Sequence, residues 1–147
     1  MTFDLNAQLK DAAADPVALR RAVALAYDSE REITLLRRGQ AIPAQSIIPP
    51  LLSGYDAKLK TEMSQYDVPR AKSLLDLYGY ADRDGDGWRE QPDGKPLVIL
   101  RPTQPEQIYR EHDTAWKKDM EVIGVRNEFK TSEWPEILKQ ERAGKLQ

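Results

Sequence analysis

Tyr66-Asp67-Val68-Pro69-Arg70-Ala71-Lys72-Ser73-Leu74-Leu75-Asp76-Leu77-Tyr78-Gly79-Tyr80 runs straight into Ala81-Asp82-Arg83-Asp84-Gly85-Asp86-Gly87-Trp88-Arg89-Glu90. The first half spells a bounded helix. Asp67 is placed to accept from the free N–H groups of a first turn, and Pro69 falls where its missing N–H costs nothing. Ala71, Leu74, Leu75 and Tyr78 stand at i, i+3, i+4 and i+7, which is one apolar face. Gly79 then supplies the left-handed residue that ends the helix. The second half sets Asp82, Asp84 and Asp86 at alternate positions ahead of Gly87, a spacing that converges oxygens on a hard cation.

Downstream, the pattern changes period. Leu97-Val98-Ile99-Leu100 reads as a strand apolar on both faces, as when both sides of a sheet are covered. A helix is predicted over 106–123, with Ile108, Trp116, Met120 and Ile123 inward and Gly124 as its stop. Val125-Arg126-Asn127-Glu128-Phe129-Lys130 alternates as a half-exposed strand does. Ser132 is the predicted cap of a last helix that carries Ile137 and Leu138 and ends at Gly144. Strand, helix, strand, helix predicts parallel βαβ winding, so the fold class is α/β.

Upstream, residues 2–5 alternate as a short strand rather than as a leader peptide, and residues 6–15 read as a polar connection. Asp15-Pro16 opens a helix on which Leu19, Val23, Ala26 and Tyr27 share a face. Ser29 and Glu32 have capping-box spacing for a second segment that carries Ile33 and Leu36 and ends at Gly39. Arg37 and Arg38 in its last turn suit the negative end of the helix dipole. Residues 40–53 hold three prolines and no helical period. The apolar run Ile47-Ile48-Pro49-Pro50-Leu51-Leu52 within them needs something to cover it.

The acidic loop is the one candidate for inorganic chemistry. Read as a calcium loop, Asp82, Asp84 and Asp86 take positions one, three and five. Trp88 offers its carbonyl at seven, Glu90 falls at nine and Asp93 at twelve. Position twelve would thus carry a short Asp where a longer bidentate Glu is usual, and Pro92-Asp93-Gly94 makes a β-turn by itself. A strand follows instead of a helix, which excludes an EF-hand. Two readings stand: a structural calcium, or a solvated Asp/Gly turn joining a helix to a hairpin.

Composition removes several function classes. The 147 residues carry 22 Lys plus Arg against 24 Asp plus Glu, a net charge of −2, where a nucleic-acid binder would show a basic balance. Apolar runs are too short to span a membrane. There is no Cys and one His, so neither thiol chemistry nor a transition-metal cluster is supported. His112 stands mid-helix between Glu111 and Asp113 and is read as facing solvent. No nucleophile elbow, phosphate-cradling loop or apolar-embedded carboxylate pair appears, so no catalytic residue is assigned and no enzyme is expected. Trp134-Pro135, at a strand-to-helix turn, is the candidate ligand contact, because ligands of open parallel sheets sit at such turns.

Three blocks, in order, resemble one family. They are Leu19-Arg20-Arg21-Ala22-Val23-Ala24-Leu25-Ala26-Tyr27-Asp28, Gly39-Gln40-Ala41-Ile42-Pro43-Ala44-Gln45-Ser46-Ile47-Ile48-Pro49-Pro50, and the stretch from Tyr66 to Glu90. The likeness continues through Trp116-Lys117-Lys118-Asp119-Met120-Glu121-Val122-Ile123-Gly124-Val125 and Trp134-Pro135 to Gly144. The chain resembles the extracytoplasmic solute-binding proteins of ABC importers, family five. The resemblance implies a βαβ-wound partial lobe of a periplasmic-binding-protein type II-like fold, with residues 1–147 one domain of the carboxyl-side lobe. It implies an internal fragment of a longer periplasmic protein whose leader lies upstream. It further implies a peptide or similar small solute as ligand, an inner-membrane ABC permease as partner, and no bond chemistry. Two rival expectations are a calcium-stabilised structural or interaction module and an intracellular α/β enzyme.

Overall fold

The first two long helices each begin at an Asp followed within two residues by proline. In the computed structural model, which describes residues 15–144, Asp15 accepts from Val17 N at 2.8 Å and starts α1, Pro16–Ala26. The strand expected at 2–5 and the connection up to residue 14 lie outside the described residues. Asp67 accepts from Arg70 N at 3.0 Å and starts α3, Val68–Leu77. In both, a side-chain oxygen satisfies an otherwise orphaned N–H. Ala18, Leu19, Ala22, Val23, Leu25 and Ala26 of α1 are all buried. Ala71 and Leu75 of α3 pack against this helix, and small residues on both sides let the backbones approach. Asp67 N also donates to Leu25 O at 2.8 Å, which sets the start of one helix on the end of the other.

Beyond the acidic loop, β1 (Val98–Thr103) and β2 (Arg126–Thr131) pair in parallel, in register from Val98 with Arg126 to Thr103 with Thr131. The crossover is α4, Gln107–Val122, and α5, Trp134–Arg142, follows β2. Leu97, Ile99, Val125, Met120 and Ile123 complete one core with α1, α3 and Tyr80. Gly124 follows α4 at φ 73°, and a Cβ there would meet Gly87 O at 3.2 Å, so glycine is required twice over. The α/β winding is therefore as predicted.

Several expectations are corrected. The second helix, α2, spans Ser29–Leu35 and is capped by Asp28, whose carboxylate accepts from Arg31 N at 2.9 Å. Of two adjacent capping residues, the carboxylate has taken the position and Ser29 is already helical. The helix stops at Leu35, so Arg37 and Arg38 lie past its last turn, where Arg38 and Gly39 are both left-handed. Ser132 caps nothing; the residue before α5 is Glu133, without a side-chain bond. Tyr78 is the C-cap of α3 and is 41% exposed; the left-handed Gly79 turns the chain back so that Tyr80 enters the core. Ile108, in the first turn of α4, is exposed because the packed part of that helix begins further on. Leu100 is also exposed, so among the described residues one face of the sheet is covered and the other is open. Residues 40–61 form no regular element. Gln45 holds them, accepting from Thr61 N at 2.8 Å and contacting Ser64 Oγ. The apolar side chains of Ile47 and Leu51 nonetheless point outward.

Two measurements test this packing. Urea denaturation is expected to show a loss of about 2–5 kcal/mol for Leu75→Ala, about 1 kcal/mol for Asp67→Ala, and within about 0.5 kcal/mol of the parent for Tyr78→Ala. A Leu75→Ala midpoint equal to the parent's would contradict the assigned core. Burial, with the charge of Asp15 adding to it, pushes the Tyr80 phenol from 10.0 up to about 12. The unfolded chain therefore releases this proton before the folded one does. Stability should fall as pH rises from 10.0 to about 12, and Tyr80→Phe should flatten that slope, by at most about 1.4 kcal/mol per pH unit. An unchanged slope in the Phe variant would put Tyr80 outside the core.

Candidate functional site

Ligands of open parallel sheets bind beyond the carboxyl ends of the strands, and here both strands end together. Ser132 N donates to Thr103 O at 2.9 Å, which ties the two ends. Thr103, nearly buried, donates from Oγ1 to Asp113 Oδ2 on α4. Asp113 Oδ1 also lies 3.8 Å from Arg101 Nε, and the Arg101 guanidinium sits 4.7 Å over the Trp116 ring. Trp116 is fixed in turn by its indole N–H, which donates to Asn127 Oδ1 at 3.0 Å, and by Tyr27, 5.5 Å away between ring centroids. Burial holds the Arg101 guanidinium below its ordinary range, and the charges of Asp113 and Glu32 pull it back up.

On the opposite wall, Glu32 of α2 faces His112 of α4, with 3.4 Å between Oε1 and Nδ1, and accepts from Arg37 Nε at 2.9 Å. His112 is 17% exposed by side chain, so the solvent-facing expectation is overturned. The reason is tertiary: α2 lies over this part of α4 and brings a carboxylate to the ring. Between the two walls opens a cavity of about 510 Å³, lined by Tyr27, Arg101, Thr103, Tyr109 and His112 among others. Its polar groups are two guanidiniums, two carboxylates, an imidazole and hydroxyls, a set suited to binding by charge and hydrogen bond. Trp134 stands beside this region at the start of α5, 46% exposed, and does not line the cavity.

Sequence reading missed one buried charge. Asp119 is 1% exposed, accepts from Arg31 Nη2 at 2.6 Å and from Asp28 N at 3.3 Å, and anchors the start of α2 on α4. Burial pushes its carboxyl above the usual range, against the pull of those two hydrogen bonds. The available signal was its place on the helix face of Trp116, Met120 and Ile123, an acid where an apolar residue is the rule.

Asp82, Asp84, Asp86 and Glu90 do converge, offering carboxylate oxygens within 4.8 Å of one another, and this is the group with the geometry to hold a cation. The loop also answers these charges itself. Asp82 accepts from Gly85 N at 2.7 Å and Gly87 N at 2.9 Å, and Glu90 accepts from Arg83 N at 2.7 Å. Asp86 accepts from Trp88 N at 2.8 Å and pairs with Arg126 of β2 at 3.1 Å. The Arg126 guanidinium also lies 5.2 Å over the Trp88 ring. Asp93 is not brought to the group: it accepts from Lys95 N at 3.1 Å and pairs with the Lys95 ammonium at 3.0 Å, within its own turn.

The model of the bacterial extracellular solute-binding proteins, family 5 Middle, matches residues 1–147. Among curated relatives, the di/tripeptide-binding protein 2 of Pseudomonas aeruginosa is 29% identical over 88% of this chain and 22% of its own length. The dipeptide-binding protein of Escherichia coli is 28% identical over 90% of this chain and 23% of its own. The chain thus spans less than a quarter of these relatives. The solved structure of NikA from Brucella suis in complex with Fe(III)-EDTA superposes with a TM-score of 0.78 at 22% identity, over 94% of this chain and 27% of that one, a likeness of fold.

The acidic loop gives the prediction for this region. Asp82→Ala removes the acceptor for two backbone N–H groups and is expected to cost about 1 kcal/mol, while Asp84→Asn stays within about 0.5 kcal/mol, in calcium and in chelator alike. A melting temperature that rises with calcium in the parent and not in Asp84→Asn would install a cation here.

Proposed function

The chain belongs to the bacterial extracellular solute-binding proteins of family 5, and from that membership we propose that it forms part of the substrate-binding component of an ABC importer. In this reading it supplies a portion of one lobe of a two-lobed receptor, which closes over a peptide or similar small solute in the periplasm and presents it to a membrane permease. The work is binding and transfer, with no bond made or broken. Among the described residues, no helix is long and apolar enough to cross a membrane.

The observation that carries the reading is the family match over all 147 residues. The cavity at the carboxyl end of β1 supports it, because such ends are where open parallel sheets take ligands and its charges are mixed in sign. Arg101 and Arg37 would face a solute's carboxylate, and Glu32 and Asp113 its ammonium. One wall of a cleft buries only part of a solute, whereas small-molecule sites bury most of the ligand surface.

Isothermal titration with a mixed di- and tripeptide pool tests this. The 147-residue chain is expected to bind no tighter than about 1 mM. The full-length receptor that contains it is expected to bind in the micromolar range and to weaken about tenfold in Arg101→Met. A micromolar constant for the chain alone would show a self-contained site. A full-length protein that takes up no peptide, sugar or metal complex would end the transport reading.

A further inference from the structure

Helix α2 differs from every other α-helix among the described residues: none of its seven residues is buried. A helix of that length has little stability of its own, and helices in proteins are held mainly by an apolar face. Leu35 is 66% exposed and points away from the core. Open space lies on both flanks. On one side is the 510 Å³ cavity, to which α2 and the turn after it contribute Glu32 and Arg37. On the other is a groove of about 410 Å³ between Leu35 and Leu36 and the outer side of α4. What fastens the segment is polar. Its first turn is anchored where Asp119 receives Asp28 N–H and the Arg31 guanidinium, and Arg31 also donates to Ala115 O at 3.3 Å. Its second half is held by Glu32 against His112. Past Leu36 the chain reverses through Arg38 and Gly39, at φ 52° and 75°, into residues 40–61, which have no regular structure.

The geometry points to residues 32–39 as a lid over the cavity, pivoting on the Asp28–Arg31–Asp119 anchor and latched by the Glu32–His112 contact. The latch is a single 3.4 Å contact, ionic only when His112 is protonated, so it contributes little and in that state weakens with salt. The anchor joins buried Asp119 to Asp28 N–H and the Arg31 guanidinium by two hydrogen bonds, with a third from Arg31 to Ala115 O, and stays closed while the latch opens. Opening carries Glu32 and Arg37 out of the cavity wall and widens the way to Arg101 and Thr103. The device needs no particular solute. It rests on the proposed function only in that the cavity it covers is the one assigned to solute.

Amide hydrogen exchange on the 147-residue chain tests it directly. Residues 33–39 are expected to exchange far faster than residues 18–26, and about tenfold faster again in His112→Gln or in 1 M sodium chloride, with the rates of residues 18–26 unchanged. Asp119→Asn should release residues 29–39 together. Because the chain has no Cys, spin labels placed at Thr34→Cys and Thr114→Cys give a second readout: one distance in low salt, and a longer or broader one in His112→Gln. Exchange of residues 33–39 only in step with residues 18–26 would overturn the lid, as would rates and distances indifferent to both salt and His112→Gln. Peptide binding by the full receptor is a separate measurement, so loss of the lid and loss of the transport reading can be told apart.

Discussion

The guanidinium of Arg89 sits where the carboxyl ends of α3 and α4 meet, and the rest of the arrangement hangs on it. Its side chain is 11% exposed and donates to Tyr80 O, to Ile123 O and to the Asp76 carboxylate. Two helix termini, each with unsatisfied carbonyls and the negative end of a dipole, are an unfavourable pair to bury side by side. One planar cation with five donors answers both. The backbone of the same residue extends the junction: Arg89 N donates to Gly124 O and Arg89 O accepts from Leu97 N. The acidic loop, the turn after α4 and the entry to β1 thus meet at one residue. This is why Gly124 has no room for a side chain, and why Tyr80 is drawn inward while Tyr78 is left outside.

What sequence reading reached, it reached through local chemistry. Asp67, Pro69 and Gly79 bound α3 within a residue because caps, proline and left-handed glycine act on their neighbours alone. The alternation of 125–130 gave β2, and the βαβ order gave the parallel pair. Errors fell where two local signals compete or where the partner is distant. Asp28 and Ser29 both suit a cap, and only the folded chain chooses. Ile108 has the right spacing for the inner face of α4 but lies beyond the length of helix that its neighbours cover.

The cavity shows the second kind of limit. Glu32 and His112 are far apart in the chain, as are Arg31 and Asp119, and no spacing rule connects them. Asp113 and Arg101 are closer, yet they face each other only because β1 and α4 pack as they do. Carboxylates scattered along a sequence with balanced charge look like solvated surface. Folding places Glu32, Asp113 and Asp119 against cations, and that pairing is what makes partial burial tolerable. The acidic loop is the reverse case: its convergence was legible from spacing alone, and the uses its oxygens find in Gly85, Gly87 and Arg126 were not.

Balanced charge also bears on which solutes the proposed site would admit. Arg101 lies by Asp113, and Glu32 lies between Arg37 and His112, so each charge in the cavity already has a counter-charge. A solute with one net charge would draw one member of a pair toward itself and leave the other without its partner, which is costly for Arg101, Asp113 and Glu32, whose side chains are 18%, 13% and 14% exposed. A dipolar solute, such as a peptide with its two termini, exchanges pair for pair and leaves no charge unanswered. Neutral solutes without such termini would have to work through Tyr27, Thr103 and Tyr109, whose hydroxyls serve equally as donors and acceptors. Under the proposed function the cavity would favour dipolar over singly charged ligands for a reason independent of shape: Arg101 is already answered by Asp113, and Arg37 by Glu32.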